Sequence, residues 1–305
     1  MIRPAPLSHP LSQRLHLQVR GMVQGVGFRP FVYTLATELG LGGWVRNNDS
    51  GVDIEVEGRS DELTAFVERL ERDRPAHSVL SQLETDWLAP CGYDRFEIQA
   101  SDSDSPAKSA WILPDLAPCP ACLSEIFDPH NRRYQYPFTN CTHCGPRYSI
   151  LTALPYDRPH TTLQSFRMCP DCQKEYDNPR DRRFHAQPNA CPVCGPQLEL
   201  WNPRGQVLAS GASAIALIAQ ATDCLREGQV LALKGLGGFH LMVDARSEAA
   251  VQRLRERKHR PTKPLAVMYP TLDAIRQDCC VSPAEANCLT ATAAPIVLLQ
   301  RRSES

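Results

Sequence analysis

No stretch of this 305-residue sequence is apolar for long enough to cross a bilayer. The opening MIRPAPLSHPLSQRLHLQV also lacks the unbroken hydrophobic block that directs secretion. A cytoplasmic chain with no membrane partner is therefore expected. Excess charge is missing too: the net charge of -1 provides no general electrostatic grip on nucleic acid. Cysteine, in contrast, is abundant, with 13 residues. In an intracellular chain of this size, paired cysteines point to metal rather than disulfides. The length suggests two or three domains.

Composition divides the chain into zones. Residues 12–100 alternate strand-like and helical runs, 101–113 are small and polar as in a linker, and 114–198 are dense in Cys and Pro with weak periodicity. From 209 to 305 an α/β pattern returns. In the first zone LHLQVRG predicts a strand, and a helix through FVYTLATEL follows Pro30 and closes near Gly40. GGWVRNN and VDIEVEG predict strands joined by a turn at 49–51. DELTAFVERLERD is an amphipathic helix with Leu63, Phe66, Val67 and Leu70 on one face, and LSQLETDWL and RFEIQA are further strands. This β-α-β-β-α-β order is that of a ferredoxin-like sandwich, so the expected fold class is α+β and multidomain.

Between the first strand and helix lies Gly-Met-Val-Gln-Gly-Val-Gly-Phe-Arg-Pro, residues 21–30. Three glycines permit a tight loop whose N–H groups converge on one anion, and the following helix points its positive end at the same place. Arg29 adds a permanently charged fork suited to two phosphate oxygens. A Gly-rich loop by itself is more often only a turn. Here VQGVGFR and GWVRN (43–47) resemble the two signatures of the acylphosphatase family, over roughly the first 100 residues. The resemblance implies that Gln24, Gly25, Val26, Gly27 and Phe28 form a phosphate loop. It also implies that Arg29 binds the phosphoryl group and that Asn47 orients the attacking water.

Two segments repeat the pattern Cys-x2-Cys-x18-Cys-x2-Cys fifty residues apart: Cys119, Cys122, Cys141 and Cys144, then Cys169, Cys172, Cys191 and Cys194. Four thiolates leave no open coordination position, so two structural zinc ions are expected. Iron–sulfur ligation usually has other spacings, and a thioredoxin-like site would need its CxxC at a helix start within a βαβ unit. His143 and His185 lie close enough to substitute for a cysteine, and ligand pairing crossed between the repeats remains open. Arg132, Arg133, Arg147, Arg158, Arg180, Arg182 and Arg183 allow either RNA contact or, with near-neutral overall charge, a solvated face with ion pairs to Asp128, Asp157, Asp177 and Asp181.

In the last zone EGQVLALKGLGGFHLMVDA predicts a helix end, a buried strand and a glycine-rich turn. Lys258, Arg260 and Lys263 then cluster beside two prolines. Lys-x-Arg followed by Lys-Pro-Leu resembles the ATP-binding signature of the YrdC/Sua5 family, and KGLGGFHL its strand-turn, which implies nucleotide or carbamoyl contacts by Lys234, Lys258, Arg260 and Lys263. The order of acylphosphatase-like domain, two zinc modules and YrdC-like domain, with the phrases YPFTNCTHCGPR and RRFHAQP, resembles the amino-terminal part of the HypF family of hydrogenase-maturation carbamoyltransferases. That resemblance implies cleavage of carbamoyl phosphate. It further implies ATP- and Mg2+-dependent formation of carbamoyl adenylate, and transfer to the C-terminal cysteine of a HypE-type partner as a precursor of the hydrogenase cyanide ligand. It also implies that the YrdC-like domain is incomplete here and that the transfer domain lies outside the sequence. Two other readings are a zinc-finger RNA-binding module and a stand-alone acylphosphatase.

Overall fold

The computed structural model describes residues 12–102, 110–210 and 214–302. The leader reading at 1–11 and most of the 101–113 linker lie outside the described residues. The chain forms two compact units, Met1–Pro114 with Asn140–Cys194, and Asp115–Thr139 with Gly195–Ser305.

The first unit is built on a sandwich. Strands β1 (Gln13–Met22), β2 (Gly42–Asn48), β3 (Gly51–Gly58), β4 (Val79–Leu88) and β5 (Phe96–Ile98) form one sheet in the order β4-β1-β3-β2-β5. All neighbours are antiparallel except β2 and β5. Alternation along β1 buries Leu15, Leu17 and Val19, and β3 opposes them with Val56, Ile54 and Val52. Helices α1 (Phe28–Glu38) and α2 (Ser60–Arg72) cover that face with Phe28, Val32, Leu35, Leu63, Phe66 and Leu70. Val67 is only half-buried. At the start of α2 the Glu62 carboxylate accepts from the Arg59 N–H, satisfying a donor that the helix cannot. The sandwich expected from the alternation of patterns is present.

Metal-module segments carry more regular structure than their weak periodicity suggests. Each repeat opens with a two-turn helix, α3 (Pro120–Phe127) and α4 (Pro170–Asp177), with Cys119 or Cys169 as N-cap and proline in the first turn. The first CxxC of each repeat does sit at a helix start, though outside any βαβ unit. The arginines divide, with Arg132 and Arg180 exposed as on a solvated face. Arg133, Arg147 and Arg183 are among the most buried side chains of the molecule. They are neither a solvated face nor a surface for RNA.

The second unit contains the hairpin β6 (Glu199–Trp201) and β7 (Val207–Ser210), helix α5 (Ala214–Arg226), and the hairpin β8 (Leu231–Lys234) and β9 (Phe239–Met242). It continues through α6 (Glu248–Arg257), α7 (Leu272–Asp278), β10 (Cys279–Cys280), α8 (Pro283–Leu289) and β11 (Gln300–Arg301). The strand expected to be buried, β8, is largely exposed, because among the described residues it pairs only with β9. Leu233, Phe239, Leu241, Met268, Ile296 and Leu298 are exposed as well.

Candidate active site and metal centres

Gly25 and Gly27 have φ of 73° and 77°, the left-handed region open to glycine at little cost. This double reversal turns the chain from β1 into α1, with Gly27 as N-cap and no side chain capping it. Among the described residues, the N–H groups of Val26, Gly27 and Phe28 donate to no protein acceptor. The loop therefore presents unpaired donors at the positive end of an eleven-residue helix.

Two side chains converge above it. Arg29 Nη2 donates to the carbonyl oxygen of Tyr156 at 3.4 Å, and Asn47 Nδ2 donates to the same oxygen at 3.3 Å. Arg29, only 8% exposed, also makes a 2.6 Å ion pair with Asp157 and a 3.4 Å contact to Ser101 Oγ, which in turn donates to the other Asp157 oxygen. Asn47 Oδ1 is buried and has no hydrogen-bond partner among the described residues. Gln24 ties the parts together: its amide nitrogen donates to the carbonyls of Asn48 and Gly51, and its oxygen accepts from the Tyr156 N–H. The expected phosphate loop, Arg29 and Asn47 thus meet in space. Ser101, Tyr156 and Asp157 join them, of which the sequence marked only Asp157, as an ion-pair partner for arginines of the cysteine region and not for Arg29.

Segments from the cysteine repeats wall this site. A cavity of about 30 Å³ lies between the loop, Asn47, Arg147 and Tyr156 on one side and residues 185–188 on the other. That is room for one or two waters. Arg147 is the strongest tie. Its guanidinium donates to the carbonyls of Gly25, Cys141, Thr142, Cys144 and Pro146. Gln187 accepts from the Arg158 N–H and donates to the His185 carbonyl, while Arg158 donates to the carbonyls of Gln187, Asn189 and Phe166. His185 packs between Tyr176 and Phe184. Burial first, and then the Arg29 charge, push its imidazole down to about 4, so it is neutral at pH 7.

Each set of four cysteines forms within its own repeat, with all four sulfurs inside 4.8 Å of one another. In the second set the sulfurs lie 3.6–3.7 Å apart from Cys169 to Cys191, Cys191 to Cys194 and Cys194 to Cys172. A zinc–sulfur bond of about 2.3 Å gives a tetrahedral edge of about 3.8 Å, so the arrangement fits one zinc ion per repeat. Neither histidine is needed: His143 is exposed and His185 faces the cavity.

The second unit holds the remaining candidates. Lys234 ends β8 with its ammonium 4.9 Å above the Phe239 ring, and Lys258 caps α6. Arg255 donates to the carbonyls of Arg260, Pro261 and Lys263, and Arg260 to that of Pro264, which gives the basic loop a defined shape. Lys234, Lys258 and Lys263 are exposed.

The acylphosphatase family matches residues 15–98, the HypF finger family residues 119–151 and 168–201, and the Sua5/yciO/yrdC "Telomere recombination" family residues 223–305. The carbamoyltransferase HypF of Synechocystis is 55% identical over 94% of this chain, and HypF2 of Cupriavidus necator 50% identical over 99%. An acylphosphatase of Moorella thermoacetica is 42% identical over 89 residues, 95% of its own length. The crystal structure of full-length HypF in a phosphate- and nucleotide-bound form superposes with a TM-score of 0.89 at 41% identity, covering 97% of this chain and 38% of that one. The chain spans 37% of the length of the two carbamoyltransferases. With all three domain models in the same order and half its residues identical to those relatives, the chain belongs to the HypF carbamoyltransferase family.

Proposed function

We propose that the loop of residues 24–28, with Arg29 and Asn47, binds and cleaves an acyl phosphate, and that the substrate is carbamoyl phosphate. The observation that carries this reading is the convergence of Arg29 Nη2 and Asn47 Nδ2 on one oxygen, beside unpaired helix N-terminal amides. A phosphoryl oxygen in the position of that carbonyl would meet the same two donors. The unpartnered Asn47 Oδ1 is a free acceptor for a proton of the attacking water. Water held by Asn47 attacks phosphorus, and the acyl oxyanion, here carbamate, is a good leaving group, so no strong base is required. Positioning and stabilisation of charge supply most of the acceleration. Water and carbamoyl phosphate become carbamate and inorganic phosphate.

In a protein of the relatives' full length, carbamate would then react with ATP, Mg2+ assisting, at a site including Lys234, Lys258, Arg260 and Lys263, giving carbamoyl adenylate and pyrophosphate. The carbamoyl group would pass to a HypE-type partner in the cytoplasm. Membership of the carbamoyltransferase family supports this sequence of events. Among the described residues no helix is long and apolar enough to cross a membrane.

The test is phosphate release from carbamoyl phosphate by this chain. Arg29→Ala and Asn47→Ala should each lower kcat/KM by on the order of a hundred-fold or more with zinc content unchanged. Wild-type rates in both variants would remove the assignment.

A further inference from the structure

Two kinds of bond meet at Arg29, and their lengths differ. The Asp157 carboxylate accepts at 2.6 Å, whereas the contacts of Arg29 and Asn47 to the Tyr156 carbonyl are 3.4 and 3.3 Å. Short charge-assisted bonds are roughly twice as strong as neutral ones, and contacts near 3.4 Å are weak. A ligand entering the site would displace the carbonyl before the carboxylate. A guanidinium has five donors, so Arg29 can keep Asp157 on one N–H and offer others to a phosphoryl oxygen. The Arg29–Asp157 pair is also largely buried, at 9% and 19% exposure of the two side chains, which makes its loss costly.

From this we infer that Asp157 is a positioning residue of the phosphoryl site. It holds the Arg29 fork so that Nη2 and Asn47 Nδ2 aim at one point, and Ser101 steadies it from the other carboxylate oxygen. The inference rests on the phosphoryl reading proposed above. Asp157 lies 128 residues from Arg29, in the segment between the two cysteine repeats. The acylphosphatase of Moorella thermoacetica matches this chain over 89 residues, 95% of its own length, which is too short a span to reach from Arg29 to Asp157. The metal-binding region therefore supplies part of the acylphosphatase-like site rather than only shielding it.

Position 157 is held by the second repeat. Gln187 fixes the Arg158 N–H at 2.8 Å, and Arg158 anchors to the carbonyls of Gln187 and Asn189. The first repeat has Pro137 fifty residues before Gln187 and Gln135 before His185. Two of the residues that face or brace the cavity are thus particular to the second copy.

The experiment uses the whole chain with both zinc ions bound, and measures inorganic phosphate affinity and carbamoyl phosphate hydrolysis for Asp157→Asn, Asp157→Glu and Ser101→Ala. Asp157→Asn should lower kcat/KM by about ten- to a hundred-fold, with kcat falling as well as phosphate affinity, because a misaimed Arg29 fails the transition state too. Asp157→Glu should recover part of the loss, and Ser101→Ala should lose a few-fold. Free guanidinium ion should partly restore Arg29→Ala but not the Arg29→Ala, Asp157→Asn double variant, an effect that a purely structural role for Asp157 would not produce. Unchanged phosphate affinity and turnover in Asp157→Asn would overturn the inference. Tighter phosphate binding would do the same, since Asp157 would then be a competitor for Arg29. If wild type neither binds phosphate nor releases it from carbamoyl phosphate, the phosphoryl reading fails first and takes this one with it.

Discussion

Gln24 has the most demanding role for a single uncharged side chain. It is 1% exposed and uses both ends of its amide, two bonds to the β2–β3 turn and one from the Tyr156 N–H. Gln24→Leu keeps the volume and orphans three backbone groups, so it should cost about 2–4 kcal/mol in denaturant unfolding. A loss below about 1 kcal/mol would mean that the amide is not bracing the loop. His185 makes a prediction in pH. Unfolded, it takes up a proton near 6.5; folded, it resists until about 4 because of burial and the Arg29 charge. Below pH 6.5 the unfolded state therefore binds a proton that the native state refuses, and stability falls as pH drops from 6.5 towards 4, by on the order of 2–3 kcal/mol. His185→Gln should flatten that part of the profile. Glutamine is a fair replacement, since Gln135 occupies the matching place in the first repeat with the same φ of 52°. Equal slopes for wild type and variant would refute it.

Among the elements, legibility was uneven, and the reason is physical. Period-two burial along β1 and the 63-66-70 stripe of α2 announce themselves because their partners are hydrophobic and regularly spaced. Arg29 and Asn47 were readable because the loop and strand that hold them are local motifs. Ser101, Tyr156 and Asp157 were not, since they reach the site through contacts 72 to 128 residues long, and two of these use only backbone carbonyl oxygen. Arg133, Arg147 and Arg183 were misread for a related reason. Composition counts their charge but cannot see the carbonyls that a metal-tied turn leaves pointing inward. Arg147 takes five such carbonyls, among them Gly25 of the glycine loop before α1. Arg147→Lys keeps the charge but loses the planar fork, which makes it a poor substitute here. It should cost about 3 kcal/mol or more and weaken phosphate binding, checked by thermal unfolding and phosphate titration. A neutral outcome would show that the five bonds are incidental.

At the scale of the whole molecule, the cysteine repeats and the cavity are joined, although among the described residues no cysteine lines the cavity. Asp157 and residues 185–188 are held in place by the cysteine repeats. Stripping both zinc ions should therefore depress phosphate release at least ten-fold while the sandwich core keeps its circular dichroism, and zinc should restore activity. Undiminished turnover by the zinc-free chain would show that the two regions are independent. The second unit has a different weakness. Leu233, Phe239, Leu241, Met268, Ile296 and Leu298 are exposed on it, and apolar surface of that kind favours self-association.

The carbonyl of Tyr156 has one more implication. In the resting molecule it keeps two donors, one on α1 and one on β2, trained on a single spot, as a dummy keeps a mould from closing. An incoming oxygen would take over a place already surrounded by correctly oriented dipoles, so little rearrangement is left for the moment of reaction. An enzyme arranged in this way spends its folding energy, rather than its substrate's binding energy, on aiming the groups that do the work.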